Sequence, residues 1–586
     1  MAFRLSFLTK FTNAVFIIAA FWGLQTNLNA QNLEQIGKQN PLTISGGVSV
    51  NQIGYAVSGI ESRRDPYSFF ASGNVNFNLY GWSVPLTFTY SNQQGSFQQP
   101  FNQFGLHPTY KWVTGHFGYA SMNFSPYTLG GHLFLGAGAE ASPGKFKISA
   151  MYGRLMQAVE PDTLAANPPM PAFKRMGWGI KAGYADGNDQ IYLILFGAKD
   201  DVNSIRYVPE EEGILPEENL VVSLIGSKAL FERVILKAEY SISGISRDTR
   251  SQKVELTNYK FFNNAGSLFT PNLSSSFYNA FNAGVDYQAN TYSVGFRFEK
   301  IDPRYRTLGA YFFNNDLINY TVNGATSLFK GKINLAANVG IQKDNLDNTK
   351  ISSMNRTVGS INVGLAASKQ LNLTASYSNF TSFTNIRSQF VDINQGTPYE
   401  NLDTLNFTQI SQNASLNANY RMSKSKERPQ NINVNLSFQD AADKQGDVKQ
   451  NSGSQFYLAN AAYSFSFVPQ TLTVTAAFNY NENKGVNIKS TTVGPTIALG
   501  KSFLEKQLRT SLSTSWNQSY TNGEQINKII NVRASAGYSI KKKHNLNLSL
   551  IMVNRASAKE GTAQAFTEYT GTLGYSYNFN VLGSNK

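Results

Sequence analysis

Residues 570–581 read Thr-Gly-Thr-Leu-Gly-Tyr-Ser-Tyr-Asn-Phe-Asn-Val. Alternate positions Leu573, Tyr575, Tyr577 and Phe579 are apolar or aromatic, and those between them, Thr572, Gly574, Ser576, Asn578 and Asn580, are small or polar. A strand turns successive side chains to opposite faces, so this segment has one greasy face and one polar face. In a soluble sandwich the greasy face looks inward. In a membrane barrel it looks out at lipid, and the polar face lines the interior.

The same scheme runs along the chain from Leu42. Residues 470–480 set Leu472, Val474, Ala476, Phe478 and Tyr480 against Thr471, Thr473, Thr475 and Asn479. Residues 332–342 set Ile333, Leu335, Ala337, Val339 and Ile341 against Asn334, Asn338, Gly340 and Gln342. Residues 371–378, 431–438 and 545–552 repeat it. This is a period of two, not the helical period. Tight links such as Asp186-Gly187-Asn188, Phe231-Glu232, Lys330-Gly331 and Lys541-Lys542 alternate with longer segments, 200–216, 246–276, 302–315, 344–354, 381–404 and 440–453. That rhythm predicts short periplasmic turns and long outer loops. It also gives about 26 strands, an even number that puts both termini on one side. The expected fold is all-β: a transmembrane antiparallel up-and-down β-barrel. A propeller or repeat array would carry a blade motif at fixed spacing, and none recurs.

Composition agrees. Only 15% of the 586 residues are charged, while Tyr and Phe number 30 and 41 and Gly 47. Few charges with many aromatics suit two-faced strands. No cysteine is present, which excludes disulfides and thiolate metal sites. The formal net charge is +14, with no basic block of the kind a nucleic-acid binder carries. At the N-terminus, Arg4 and Lys10 precede an apolar run from Phe11 to Leu24 and a small-residue exit at Leu28-Asn29-Ala30, the layout of a secretory signal peptide. The run is too short for a membrane-spanning helix. The chain therefore divides into a signal peptide (residues 1–30), a short periplasmic lead (31–41) and an outer-membrane barrel (42–586).

The export signal, the two-faced strands and the aromatic terminal strand together resemble Gram-negative outer-membrane β-barrel proteins. The resemblance covers the whole mature chain and implies insertion by the barrel-assembly machinery, which reads a terminal aromatic strand. Tyr575, Tyr577 and Phe579 fit that signal, although seven residues follow Phe579. Outer-membrane lipids and lipopolysaccharide are the implied surroundings, with a plug or lipoprotein as a further partner.

Alternation turns several charges toward the interior. Arg297 and Glu299 lie opposite Val294, Phe296 and Phe298; Lys237 and Glu239 lie opposite Leu236, Ala238 and Tyr240; Lys147, Lys181, Arg509 and Arg533 share that orientation. A Lys or Arg facing lipid at mid-membrane costs roughly 2–4 kcal/mol, so these should face water or protein. They form either an anion-preferring path or, more plainly, pairs and solvated residues filling a wide interior. His107, His116 and His132 cluster in residues 105–138 without metal-ligand spacing. No G-x-S-x-G element occurs, and His132 and His544 have no partners that spacing assigns. No enzyme activity, catalytic residue, cofactor or metal is expected. Arg304, Tyr305 and Arg306 sit among aromatics in residues 302–316, a loop suited to docking a ligand or to folding inward as a constriction. Residues 246–276, with Phe261, Phe262 and Phe269, read the same way.

Two functions fit this fold. One is a channel or translocation pore whose lumen is closed by loops or by a partner. The other is a non-transporting barrel that scaffolds an assembly at the cell surface.

Overall fold

The computed structural model describes residues 42–582, apart from 93–101, 162–169, 207–213, 312, 349–354, 380–411, 442–443, 446–447, 450–453 and 559–563. The signal-peptide and lead expectations fall on residues 1–41, outside the described residues, as does the 381–404 loop.

One antiparallel sheet of 27 strands closes on itself. Each strand pairs with its neighbours in sequence, and the first, Leu42–Ser58, pairs with the last, Phe566–Leu582, from Thr43 opposite Leu582 to Ser58 opposite Thr567. Two short strands, Gln103–Leu106 and Thr109–Tyr110, share one stave, so the barrel has 26 staves. The interruption falls at His107-Pro108, where proline has no N–H to give a neighbour. The flanking backbone stays paired through His107 N–H to the Pro85 carbonyl (2.9 Å) and Gly115 N–H to the Pro108 carbonyl (2.8 Å). Closure leaves no free sheet edge.

The two faces follow the alternation. Outward positions carry exposed large apolar side chains around the circumference, among them Tyr152, Leu193, Leu224, Val322, Phe478, Leu512, Leu550 and Leu573. An exposed apolar surface this extensive has no place on a soluble monomer. It is the lipid belt of an outer-membrane barrel. Leu573 and Tyr575 of the closing stave lie on it, and Tyr577 stacks on Phe579 and on His544 (ring centroids 5.5 and 4.6 Å).

Twelve connections lie at the end that holds both termini, each of two to eight residues. The opposite end carries the long loops, but the short–long rhythm breaks there. Residues 485–488 and the Asn522-Gly523 hairpin are as tight as the periplasmic turns. Asn522 and Gly523 sit at φ 50° and 89°, the left-handed pair that a two-residue hairpin requires and that Asn-Gly adopts most readily.

Candidate functional site

The lumen has two unlike halves. In staves from Val113–Asn123 to Val234–Ser246, inward positions are apolar toward the extracellular end. Ala120, Met122, Phe134, Met151, Leu155, Ile194, Phe196, Val221 and Ile245 bury one another with Phe124, Leu129 and Leu308. The last three come from loops, not from the wall. Residues 124–129 turn inward at the top of one hairpin, and residues 302–316 reach them from six staves further on.

Hydrogen bonds fix these two loops together. The Tyr305 hydroxyl donates to the Tyr127 carbonyl (2.8 Å), the Thr307 hydroxyl to the Thr128 carbonyl (2.7 Å), and Gly130 N–H to the Gly309 carbonyl (2.9 Å). They are also fixed to the wall. Leu308 N–H donates to Asn219 Oδ1 (3.1 Å), the Ser243 hydroxyl to the Arg306 carbonyl (2.7 Å), and the Tyr127 hydroxyl to Glu299 Oε1 (2.6 Å). At the rim, Arg175 grips Asp200 with two hydrogen bonds (2.7 and 2.8 Å) and reaches Glu217 (2.9 Å), which also pairs with Arg306. Two-pronged guanidinium–carboxylate contacts are the strong kind. Burial, followed by the Glu299 charge and the hydrogen bond to it, raises the Tyr127 phenol well above its ordinary value, so the hydroxyl stays a donor.

In the other half, from Ile333 to Leu582, the inward face is mostly Asn, Ser, Thr, Gly and Ala, with Val358, Phe456 and Leu458 as apolar exceptions. Side chains directly opposite on neighbouring strands bond to each other: Asn460 with Asn479, Ser464 with Thr475 (2.9 Å), Ser511 with Ser535 (2.6 Å) and Asn531 with Ser515 (3.1 Å), and Asn479 also reaches the diagonal Thr496 (2.9 Å). Cross-strand partners lie about 5 Å apart, which suits these short polar side chains. One apolar cluster, Ile529, Val553 and Phe566 with Ile60, caps the outer end of the seam.

All eight expected inward charges occupy inward register positions, but their surroundings differ. Glu239 is buried and accepts from the Ser223 hydroxyl (2.9 Å). Glu299 holds Tyr127 and Asn319. Lys237 pairs with Asp286 (3.0 Å), and Lys181 donates to the Phe124 carbonyl (2.8 Å). Lys147 lines a niche of about 420 Å³ with Lys181, Glu140 and Tyr192. Arg297 lies opposite Gly284. Arg509 and Arg533 stand in the polar half. Among the described residues, they are the ionised groups on its inward face between Arg421 at the periplasmic mouth and Arg555 and Glu568 at the outer end.

The 302–316 loop folds inward, one of its two expected placements. Tyr305 is fully buried and Arg306 is tied to Glu217, so this loop's polar groups hold the loop in place. Residues 247–274 fold onto the outer wall: Phe262 and Phe269 pack on Leu220, Trp178, Ile242 and Phe277, all on outward positions. That placement differs from an inward fold, and alternation within the loop says nothing about which wall it meets. His132 stacks on Tyr311 at 4.0 Å between ring centroids, a partner no spacing assigns. His107 Nδ1 lies 3.0 Å from His116 Nδ1, and His116 Nε2 lies 3.4 Å from Glu140, yet no group of three or more His, Asp or Glu able to hold a metal occurs among the described residues.

The two ends of the barrel differ in charge, a signal that was legible in the sequence once the turns were assigned. The twelve periplasmic turns hold thirteen Lys or Arg and three Glu. Ten of those cations lie in the turns from residue 329 onward, beneath the polar half. The thirteen opposite connections hold fourteen Lys or Arg against twenty Asp or Glu.

No family model and no curated protein matches this sequence. Solved structures do match. They include the FrpB iron transporter from Neisseria meningitidis (F5-1 variant; 9% identity, 91% of this chain and 82% of that chain, TM-score 0.36). The P pilus usher PapC translocation pore matches at 9% identity over 92% of this chain and 99% of that chain, with a TM-score of 0.30. OccAB2 of Acinetobacter baumannii matches at 8% identity over 62% and 92%, with a TM-score of 0.28. At these identities and scores, the likeness transfers no site and no substrate to this chain.

Proposed function

We propose that the protein is an outer-membrane transport barrel in which the polar half of the lumen is the solute path and the other half is closed by the barrel's own loops. The observation that carries this reading is the contrast across the lumen. Loops 124–129 and 302–316 bring apolar side chains to an apolar wall on one side, while hydroxyls and amides line most of the other. A wall of Asn, Ser and Thr offers water and hydroxylated solutes hydrogen bonds without fixed charge, which lets them bind weakly enough to leave. A barrel of this strand number encloses more space than side chains alone can fill, so some of it must be occupied or open.

Reconstitution in planar bilayers tests this reading. The expected result is discrete openings from the intact chain. No openings above background, even after deletion of residues 383–408, would defeat it. The scaffolding alternative draws on the loop at 247–274, whose exposed Phe261, Leu268 and Leu273 face away from the outer wall. Recovery of a stoichiometric partner that is lost on Phe261→Asp and Leu273→Asp substitution would favour it.

A further inference from the structure

The inward wall near the barrel seam contains a depression of about 420 Å³ lined by Asn51, Arg509, Ser511, Arg533, Ser535, Asn547, Ser549 and Thr572, with Gly537 and Gly574 in its floor. Register explains its shape. Arg509 faces Gly537, Ser511 faces Ser535 and Ser513 faces Arg533 across one strand pair. Gly537 then faces Asn547, which faces Gly574, which faces Asn51. Two glycines in one row remove side chains where the row would otherwise fill. A Cβ on Gly574 would come within 2.5 Å of Asn51 Oδ1, and one on Gly537 within 3.1 Å of Asn547 Oδ1. Arg509 stands at the end of this glycine row and Arg533 four residues further along the strand direction, roughly 13 Å at ~3.3 Å per residue, and both line the same depression.

The chemistry of the lining is specific. Two guanidinium groups supply forked N–H donors suited to a carboxylate or phosphate. The serines, the threonine and the amides both donate and accept, as a polyhydroxylated body requires. The periplasmic mouth below is also basic, with Lys506 and Lys541–Lys543 exposed in the two turns that bracket Arg509. A mouth and a niche of one sign concentrate the opposite sign.

We infer that the Arg509–Arg533 niche binds a small hydroxylated anion of the sugar-acid class, held by its anionic group on the arginines and by its hydroxyls on the serine and asparagine rows. This inference rests on the transport reading for its purpose but not for its test. Full-length protein in detergent is examined by saturation-transfer NMR with D-glucuronate, and with D-glucose as the neutral control. Transfer to glucuronate well above that to glucose is expected. It should be lost in the Arg509→Gln/Arg533→Gln variant and kept in a Lys147→Gln/Lys181→Gln variant that leaves this niche intact. An Arg509→Lys variant keeps the charge but not the fork, and should weaken binding about tenfold, the scale of one charge-assisted contact. Heat-modifiable migration of each variant confirms the fold. Equal transfer to glucose and glucuronate, or unchanged transfer in the double Gln variant, would overturn the inference. Binding without conductance in bilayers would instead count against the transport reading and leave the niche standing.

Discussion

The two halves of the lumen solve one problem in opposite ways. Both must occupy inward positions of a wall whose outer face is committed to lipid. In the first half the inward face is apolar enough to need covering, and loops 124–129 and 302–316 cover it, bringing Leu129 and Leu308 to Phe196 and Phe134. In the second half the inward face is polar enough to stand in water, and neighbouring strands satisfy one another through Asn and Ser pairs. The ionised groups divide the same way. Glu239, Glu299, Arg175 and Arg306 are consumed in holding loops or wall together, whereas Arg509 faces the open lumen. A barrel interior is therefore not one environment. Which inward side chains are structural and which are available depends on whether a loop lies across them.

The comparison can be broken or sharpened experimentally. The outer wall is common to both halves and sets the scale. Replacing Tyr575, Tyr577 and Phe579 with Asp places three carboxylates in the lipid belt, each costing somewhat less than the roughly 2–4 kcal/mol of an Arg or Lys there. Loss of heat-modifiable protein from outer membranes is expected, and normal levels would count against the outward placement of this face. Next in size, Leu308→Ala removes the loop's anchor from a closed apolar cluster and should destabilise it by about 2–5 kcal/mol. Protease cleavage within residues 302–316 reports it, and an unchanged cleavage pattern would mean that the loop is not held by this contact.

Asn479→Ala in the polar half should cost only about 1 kcal/mol, the net worth of a typical hydrogen bond, read as a small shift of the unfolding midpoint in urea. A loss as large as that of Leu308→Ala would erase the difference between the halves. The smallest effect concerns pH. The raised Tyr127 phenol favours the protonated form in the folded state, so its contribution is fully present below its ordinary value near 10 and is lost as pH rises above it. Loop cleavage should therefore rise at alkaline pH in the wild type and rise less in Tyr127→Phe, where the buried Tyr305 phenol of the cleaved loop, also raised by burial, still responds.

Much of the fold was readable because a period of two needs only local sequence. Residues 570–581, 470–480 and 332–342 each state which face is greasy, and the turns between them state how many times the chain reverses. The signal thinned where local sequence is silent. Lys541-Lys542 and Phe231-Glu232 were legible as tight links, but not their left-handed geometry, at φ of 50–60° without Gly or Asn. Tyr305 and Phe262 are both aromatic residues in long loops, yet one is buried inside the barrel and the other against its outer wall. Each destination is set by apolar partners up to 180 residues away in sequence, as in the hydrogen bond between Tyr305 and Tyr127. The inward direction of Arg509 and Arg533 was legible from alternation. The glycine floor in the row of Arg509 was not, because it depends on the register of four strands.

The absence of cysteine makes the central contrast directly measurable. Single cysteines are placed at inward positions Ser513 and Asn479 of the polar half and at Met151 and Ile194 of the filled half, and intact outer membranes are treated with a water-soluble, membrane-impermeant maleimide. The account predicts rapid labelling at Ser513 and Asn479 and protection at Met151 and Ile194, with Leu308→Asp in the same chain exposing the latter pair. Equal labelling at all four positions without that substitution would contradict it.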